Sequence, residues 1–182
     1  TKGRVIPTSS ACTSGSQAIG YSYESIKYGK IPIMIAGGGE ELCVTEAAVF
    51  DVMYAASRMN STPHLTPKPF DQNRDGLVIG EGAGTLILED YDHAVARGAT
   101  ILAEMVGFGT NSNGTHITQP CPEAMEVAIR EALKDANIPP EAIGYVNAHA
   151  TATELGDIAE SIATHKVFGD KIPISSLKSY MG

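Results

Sequence analysis

Three residues of this 182-residue chain could share one piece of chemistry. Cys12 stands in Thr8-Ser9-Ser10-Ala11-Cys12-Thr13-Ser14-Gly15, His149 in Asn147-Ala148-His149-Ala150-Thr151-Ala152-Thr153, and Lys178 in Ser175-Ser176-Leu177-Lys178-Ser179. A thiolate is a nucleophile, an imidazole donates or accepts a proton, and an ammonium orients or polarises a neighbour. Each alone has a plainer reading: a packed thiol, a surface histidine, a solvated lysine. Their shared placement sets them apart, because each follows an extended apolar segment and sits in or beside a turn of small residues. Ser10, Ala11, Ser14 and Gly15 leave room for a substrate to reach Cys12.

The elements that must position them read as follows. Val5 to Ser10 predicts a strand, and Gly15 to Lys27, with Ala18, Ile19 and Ile26, an amphipathic helix. Cys12 then falls at a strand-to-helix turn, where unpaired N–H groups and the positive end of the helix dipole favour thiolate. Ile31 to Ala36 predicts a strand buried on both faces and ending at Gly37-Gly38-Gly39. Ala47 to Met59 predicts a helix, and Pro63, Pro67 and Pro69 a loop. Gly84 to Glu89 is a second buried strand, Tyr91 to Arg97 a short helix closed by Gly98, and Ile101 to Phe108 a strand. A polar loop follows to Cys121, then a helix from Pro122 to Ala136. Tyr145 to Asn147 ends a strand ahead of His149, Leu155 to Val167 is a helix, and Ile172 to Ser176 is a strand ahead of Lys178. The alternation predicts an α/β fold with helices on both sheet faces and chemistry at strand ends. Ile6-Pro7-Thr8-Ser9-Ser10 is echoed by Ile172-Pro173-Ile174-Ser175-Ser176, a weak sign of two duplicated halves.

Composition narrows the class. A net charge of −8 argues against nucleic acid as the main partner. Three cysteines without metal-ligand spacing predict a reducing compartment with neither a disulfide framework nor a zinc site. No apolar run is long enough to span a membrane. Cys43 reads as a packed structural thiol, and Cys121 as a thiol without assigned chemistry. His64, His93, His116 and His165 lack partner spacing for a metal. Glu40-Glu41 and the pair Asp71 and Asp75 read as structural or solvated. Gly80-Glu81-Gly82-Ala83-Gly84 is not a phosphate loop, since no lysine follows at the required spacing.

Taken together, the motifs resemble the β-ketoacyl-acyl-carrier-protein synthases of the thiolase superfamily, in their elongating form. Ser10 to Gly15 resembles the family's nucleophile motif, Asn147 to Thr153 its N-x-H-G-T-x-T motif, and Ser176 to Gly182 its K-S-x-x-G-H motif. Pro69-Phe70-Asp71, Arg74-Asp75-Gly76 and Gly80 to Gly84 resemble its framework segment. The order and wide spacing of all four blocks agree over essentially the whole chain.

The resemblance implies a thiolase-like layered α-β-α-β-α architecture of two related halves, only partly covered by this chain. Residues 1–98 would be the C-terminal part of the first half and residues 99–182 the N-terminal part of the second. It implies that Cys12 accepts an acyl group from a carrier-protein thioester and that a malonyl thioester is then condensed with it, with loss of carbon dioxide. His149 would hydrogen-bond the developing enolate oxygen, Lys178 would tune the histidine, and the Cys12 N–H would help form an oxyanion hole. Thr151 and Thr153, with Thr118, would meet the pantetheine arm, with plain loop or capping roles as the equal alternative. No cofactor bound by the chain itself is implied; the substrate rides on the phosphopantetheine of acyl carrier protein. The implied partners are that carrier protein, acyl and malonyl thioesters and a second copy of the chain, with Val5 to Ser10 near the dimer interface. The implied location is the cytoplasm.

Two departures stand out. Ala150 replaces the family's usual glycine, so alanine is strained if the position needs positive φ. The family's second catalytic histidine would follow Gly182, and its later glycine-rich segment lies further on, so the chain reads as a central fragment. The alternatives are a ketosynthase domain of a polyketide synthase, or a non-catalytic partner subunit or fragment inactive alone. The Lys178 motif argues against a degradative thiolase.

Overall fold

A computed structural model describes residues 2–116 and 119–182. Contacts divide the chain into two compact units, Thr1–Glu40 with Gly82–Phe108, and Glu41–Glu81 with Gly109–Gly182.

In the first unit, helix α1 (Ser14–Lys27) packs on an antiparallel pair, β1 (Ile33–Glu40) and β2 (Gly82–Glu89). Ala36 is buried on the helix side, and Gly38 lies against Gly15 of α1. The three glycines expected to end the first strand instead continue it, pairing Gly37, Gly38 and Gly39 with Thr85, Gly84 and Ala83. A side chain at Gly37 would collide with the Gly84 carbonyl, so glycine lets the two backbones approach. The expectation of a strand buried on both faces is corrected, because Ile35 and Ile87 pair across the ladder yet stand 58% and 69% exposed. Helix α3 (Tyr91–Ala96) is capped by the Asp90 side chain and closed by Gly98 at φ 70°. Its surface carries a cluster in which Glu89 accepts from Arg97 and meets the His93 ring. Arg97 first, and His93 second, hold the Glu89 carboxyl down at about 2.

Two predicted strands are absent from this unit. Residues 2–9 join no ladder, and Ser10 makes only an isolated bridge with Cys12. Residues 101–108 also join none; their anchors are side-chain contacts to α1. Tyr23 Oη donates to the Val106 carbonyl at 2.9 Å, and Phe108 meets Tyr21 edge-on at 5.9 Å, against the side-chain-free surface of Gly20. Alternating apolar residues permit a strand, but a strand exists only where a neighbour completes its hydrogen bonds.

The second unit holds the remaining helices and a short parallel pair. Helix α2 runs over Val44–Val52, shorter than the span to Met59 expected, because Tyr54 turns to φ 55° and Ala56 then bridges Leu77. Helix α4 (Pro122–Ala136) begins on proline and ends at Asn137 in the left-handed region. It packs against α5 (Glu154–Phe168), whose first turn is acidic and last turn basic, as the helix dipole favours. Strand β3 (Val146–Asn147) pairs in parallel with β4 (Ile174–Ser175), and the four-residue helix α6 (Lys178–Met181) follows.

The echo between the Cys12 turn and the Lys178 turn is geometrical as well. The Ser10 carbonyl accepts from the Thr13 N–H at 3.3 Å and its hydroxyl at 2.8 Å. The Ser176 carbonyl accepts in the same way from Ser179, at 3.3 Å and 3.0 Å. Equivalent sequence positions thus build equivalent turns in each unit. Among the described residues, no helix is long and apolar enough to cross a membrane.

Candidate active site

In the first unit, Cys12 lies two residues before the start of α1, with its side chain exposed. Hydroxyls stitch the turn around it. Ser14 Oγ accepts from the Ser10 N–H at 2.8 Å and donates to the Ala11 carbonyl at 2.7 Å, while Ser10 Oγ donates to Gln17 at 2.6 Å. Ala11, just before the thiol, takes φ 51°, a left-handed conformation that alanine rarely adopts. The tight turn ahead of the helix is therefore held by side-chain and backbone hydrogen bonds and not by residue preference.

The second unit brings His149 and Lys178 together at the ends of the adjacent strands β3 and β4. His149 retains solvent access, yet the protein around it is the largest influence lowering its pKa from the usual 6.5. The Lys178 charge lowers it further, while Glu160 and Asp157 act in the opposite direction. The ring is therefore biased toward the neutral form, which offers one N–H donor and one acceptor. Since the folded pKa lies below the unfolded one, this group's contribution to stability is present above pH 6.5 and fades as pH falls through the folded value. Nuclear magnetic resonance titration should place the His149 midpoint below 6.5, and Lys178→Ala should move it upward. A midpoint unmoved by Lys178→Ala would contradict the pairing.

The loop carrying His149 is clamped by α5. Glu160 accepts from the N–H groups of His149 at 2.8 Å and Ala150 at 2.7 Å, one to each carboxylate oxygen. One turn earlier, Asp157 accepts from the N–H of Ala152 at 3.1 Å and of Phe70 at 2.8 Å. Arg74 approaches Asp157 at 3.6 Å and donates to the carbonyls of Thr153 and Glu154 at 3.2 Å and 2.6 Å. Burial pushes the Asp157 carboxyl up, against the pull of the Phe70 N–H, Arg74 and the Ala152 N–H. The framework residues Phe70 and Arg74 thus serve the histidine loop. Neither Glu160 nor Asp157 belongs to a motif legible in the sequence. Their signal is an i, i+3 pair of acids on a helix face shared with buried Ala163, directly after the histidine motif.

Ala150 adopts φ 24° and is 1% exposed. The position does call for positive φ, and alanine there is strained. Ala150→Gly should raise the thermal midpoint, with relief of about 1 kcal/mol. Ala150→Val should lower it, and a drop on glycine substitution would show the strain argument to be wrong.

Thr151 and Thr153 bond to each other through their hydroxyls at 2.9 Å. Thr153 is the N-cap residue of α5 by position, but its side chain makes no capping hydrogen bond. Thr118 lies outside the described residues. Gly80 of the framework segment abuts the backbone after Lys178, where any side chain would strike the Met181 carbonyl. Asp75 accepts from Ser57 Oγ and the Arg58 N–H, both at 2.8 Å, and Asp71 from the Asn73 N–H at 2.7 Å, which are structural roles. Cys43 is exposed, not packed: it caps α2, with its sulfur accepting the Glu46 N–H. The Thr45 hydroxyl, then the Glu46 N–H, lower its pKa. Cys121 is partly buried beside Glu123.

The mixed α/β fold of the chain is that of the thiolase-fold ketosynthases it resembles. A crystallised β-ketoacyl synthase from Burkholderia phymatum STM815 matches all of the chain with a TM-score of 0.98 and 62% identity, the chain covering 44% of it. The description "Beta-ketoacyl synthase, N-terminal domain" fits residues 1–94, and "Beta-ketoacyl synthase, C-terminal domain" fits residues 102–182. The chain belongs to the β-ketoacyl synthase family. It is 40% identical to 3-oxoacyl-[acyl-carrier-protein] synthase 2 of Vibrio harveyi across its whole length, and covers 45% of that enzyme. It is also similar to a type II polyketide ketosynthase solved with its acyl-carrier protein, at TM-score 0.89 and 42% identity, over 94% of this chain and 44% of that one. The chain thus spans about half the length of the relatives it matches.

Proposed function

We propose that this chain carries the acyl acceptor and the decarboxylation residues of a 3-oxoacyl-acyl-carrier-protein synthase of fatty acid biosynthesis. The observation that carries the reading is the second unit's pairing of a neutral-biased His149 with Lys178, on a loop pinned by Glu160. Likeness to the Vibrio synthase supports it and favours fatty acid over polyketide synthesis. The Cys12 thiolate attacks the acyl thioester, forming a C–S bond as the pantetheine sulfur leaves and takes a proton. Malonyl thioester then loses carbon dioxide, and the electron pair of the broken C–C bond enters the enolate. His149 donates a hydrogen bond to the enolate oxygen, and Lys178 keeps the ring neutral. The carbanion attacks the acyl carbonyl on Cys12, a new C–C bond forms, and the Cys12 thiolate leaves. Thr151 and Thr153 line the pantetheine path, and the Cys12 N–H donates to the oxyanion.

The substrate arm, phosphopantetheine on acyl carrier protein, is the only prosthetic group this chemistry requires. The polyketide relative solved with its carrier protein supports that partner. In the same reading, residues 1–98 and 99–182 belong to successive thiolase-like halves, in keeping with the two family matches. The active enzyme is a cytoplasmic homodimer, and the exposed, unladdered Val5 and Ile6 supply apolar edge for pairing with a second copy. Full-length protein given acyl- and malonyl-acyl-carrier protein should yield one carbon dioxide per 3-oxoacyl product. Carbon dioxide release without a new C–C bond, or neither, would overturn the assignment.

A further inference from the structure

Ser176 takes no part in the steps above, yet it is 4% exposed and its hydroxyl meets three backbone groups. Its Oγ lies 3.2 Å from the His149 carbonyl and 3.1 Å from the Ala150 carbonyl, and accepts from the Lys178 N–H at 3.3 Å. One hydroxyl proton cannot serve two carbonyls fully, so it is shared between them in a three-centre bond, while a lone pair takes the Lys178 N–H. The equivalent serine of the other turn, Ser10, directs its hydroxyl to Gln17 of its own following helix. The turn can therefore be built without reaching a second loop, and the bridge is particular to the turn that bears Lys178. Glu160 holds the same two residues from the other side, by their N–H groups. Between them, Glu160 and Ser176 fasten the N–H and the carbonyl of both His149 and Ala150, at a point where Ala150 is strained at φ 24°.

We propose that Ser176 is a positioning residue whose hydroxyl locks the His149–Ala150 backbone to the Lys178 turn and so fixes the imidazole for the decarboxylation half of the reaction. The inference rests on the ketosynthase reading. A ring that must meet a developing enolate oxygen within hydrogen-bond reach tolerates little drift, and a shift on the ångström scale costs one to two orders of magnitude in rate. Cys12 sits on its own, separately stitched turn, so its acylation does not depend on this bridge.

The test compares Ser176→Ala and Ser176→Thr with the parent, all in the full-length protein, in two half-reactions. One is carbon dioxide release from malonyl-acyl-carrier protein; the other is acyl transfer from acyl-carrier protein to Cys12. Ser176→Ala should slow decarboxylation by about tenfold or more and leave acylation within about twofold. Ser176→Thr, which keeps the hydroxyl, should stay within about threefold in both. Decarboxylation by Ser176→Ala close to the parent's, an equal fall in both half-reactions, or a threonine variant as slow as the alanine one would each overturn the proposal. A parent protein that neither acylates nor decarboxylates would instead sink the ketosynthase reading itself.

Discussion

His149→Ala lowers carbon dioxide release from malonyl-acyl-carrier protein by roughly 10²–10³-fold, the size of effect seen when a preorganised donor to a developing oxyanion is lost. The same variant still takes an acyl group on Cys12, since the thiol occupies a different turn with its own hydrogen bonds. The split follows from charge. Decarboxylation places an electron pair on the thioester oxygen, and a neutral imidazole N–H in protein surroundings stabilises it better than water does. The surrounding protein and Lys178 both lower the His149 pKa, so the neutral donor form is favoured before the charge appears. Rapid-quench assays of the two half-reactions read this directly. An equal loss in both would mean that His149 acts on the thiol and not on the enolate.

Asp157→Ala destabilises the folded protein by about 3–5 kcal/mol, the range for stranding a buried ionic partner. Asp157 is 1% exposed and gathers the Phe70 N–H, the Ala152 N–H and the Arg74 guanidinium onto one carboxylate. Alanine would leave all three without it, and the Arg74 side chain is itself only 12% exposed. Asp157→Asn keeps one acceptor oxygen and should lose less, because its carbonyl can still take one of the two N–H groups. Denaturant unfolding of the full-length variants gives the comparison. A loss under about 1 kcal/mol for alanine would mean that Arg74 and the two loops find other partners.

The sequence carries its local information well. Helix α4 covers Pro122–Ala136 as expected, and the helix after the histidine motif covers Glu154–Phe168. The three chemistry-bearing turns lie where small residues follow apolar ones, and the expected cost of alanine at position 150 is visible as its φ of 24°. Long-range information was harder to read. Residues 5–10 and 101–108 have strand-like composition, yet a ladder is a property of two segments and composition describes only one. The Gly37 to Gly39 run reads as a stop until its partner, the equally small Gly82 to Gly84 segment, is known. Asp157, Glu160 and Ser176 escape notice for a related reason: each acts on backbone atoms distant in sequence, which no motif of their own records.

The central claim is that Cys12 accepts the acyl group. Intact-protein mass spectrometry of the full-length protein, after incubation with acyl-carrier protein bearing a saturated acyl chain, tests it most directly. The parent should gain the mass of one acyl group, mapped by proteolysis to the peptide containing Cys12, and Cys12→Ala should gain none. An adduct of the same mass on Cys12→Ala, or one mapped in the parent to Cys43 or Cys121, would contradict the account.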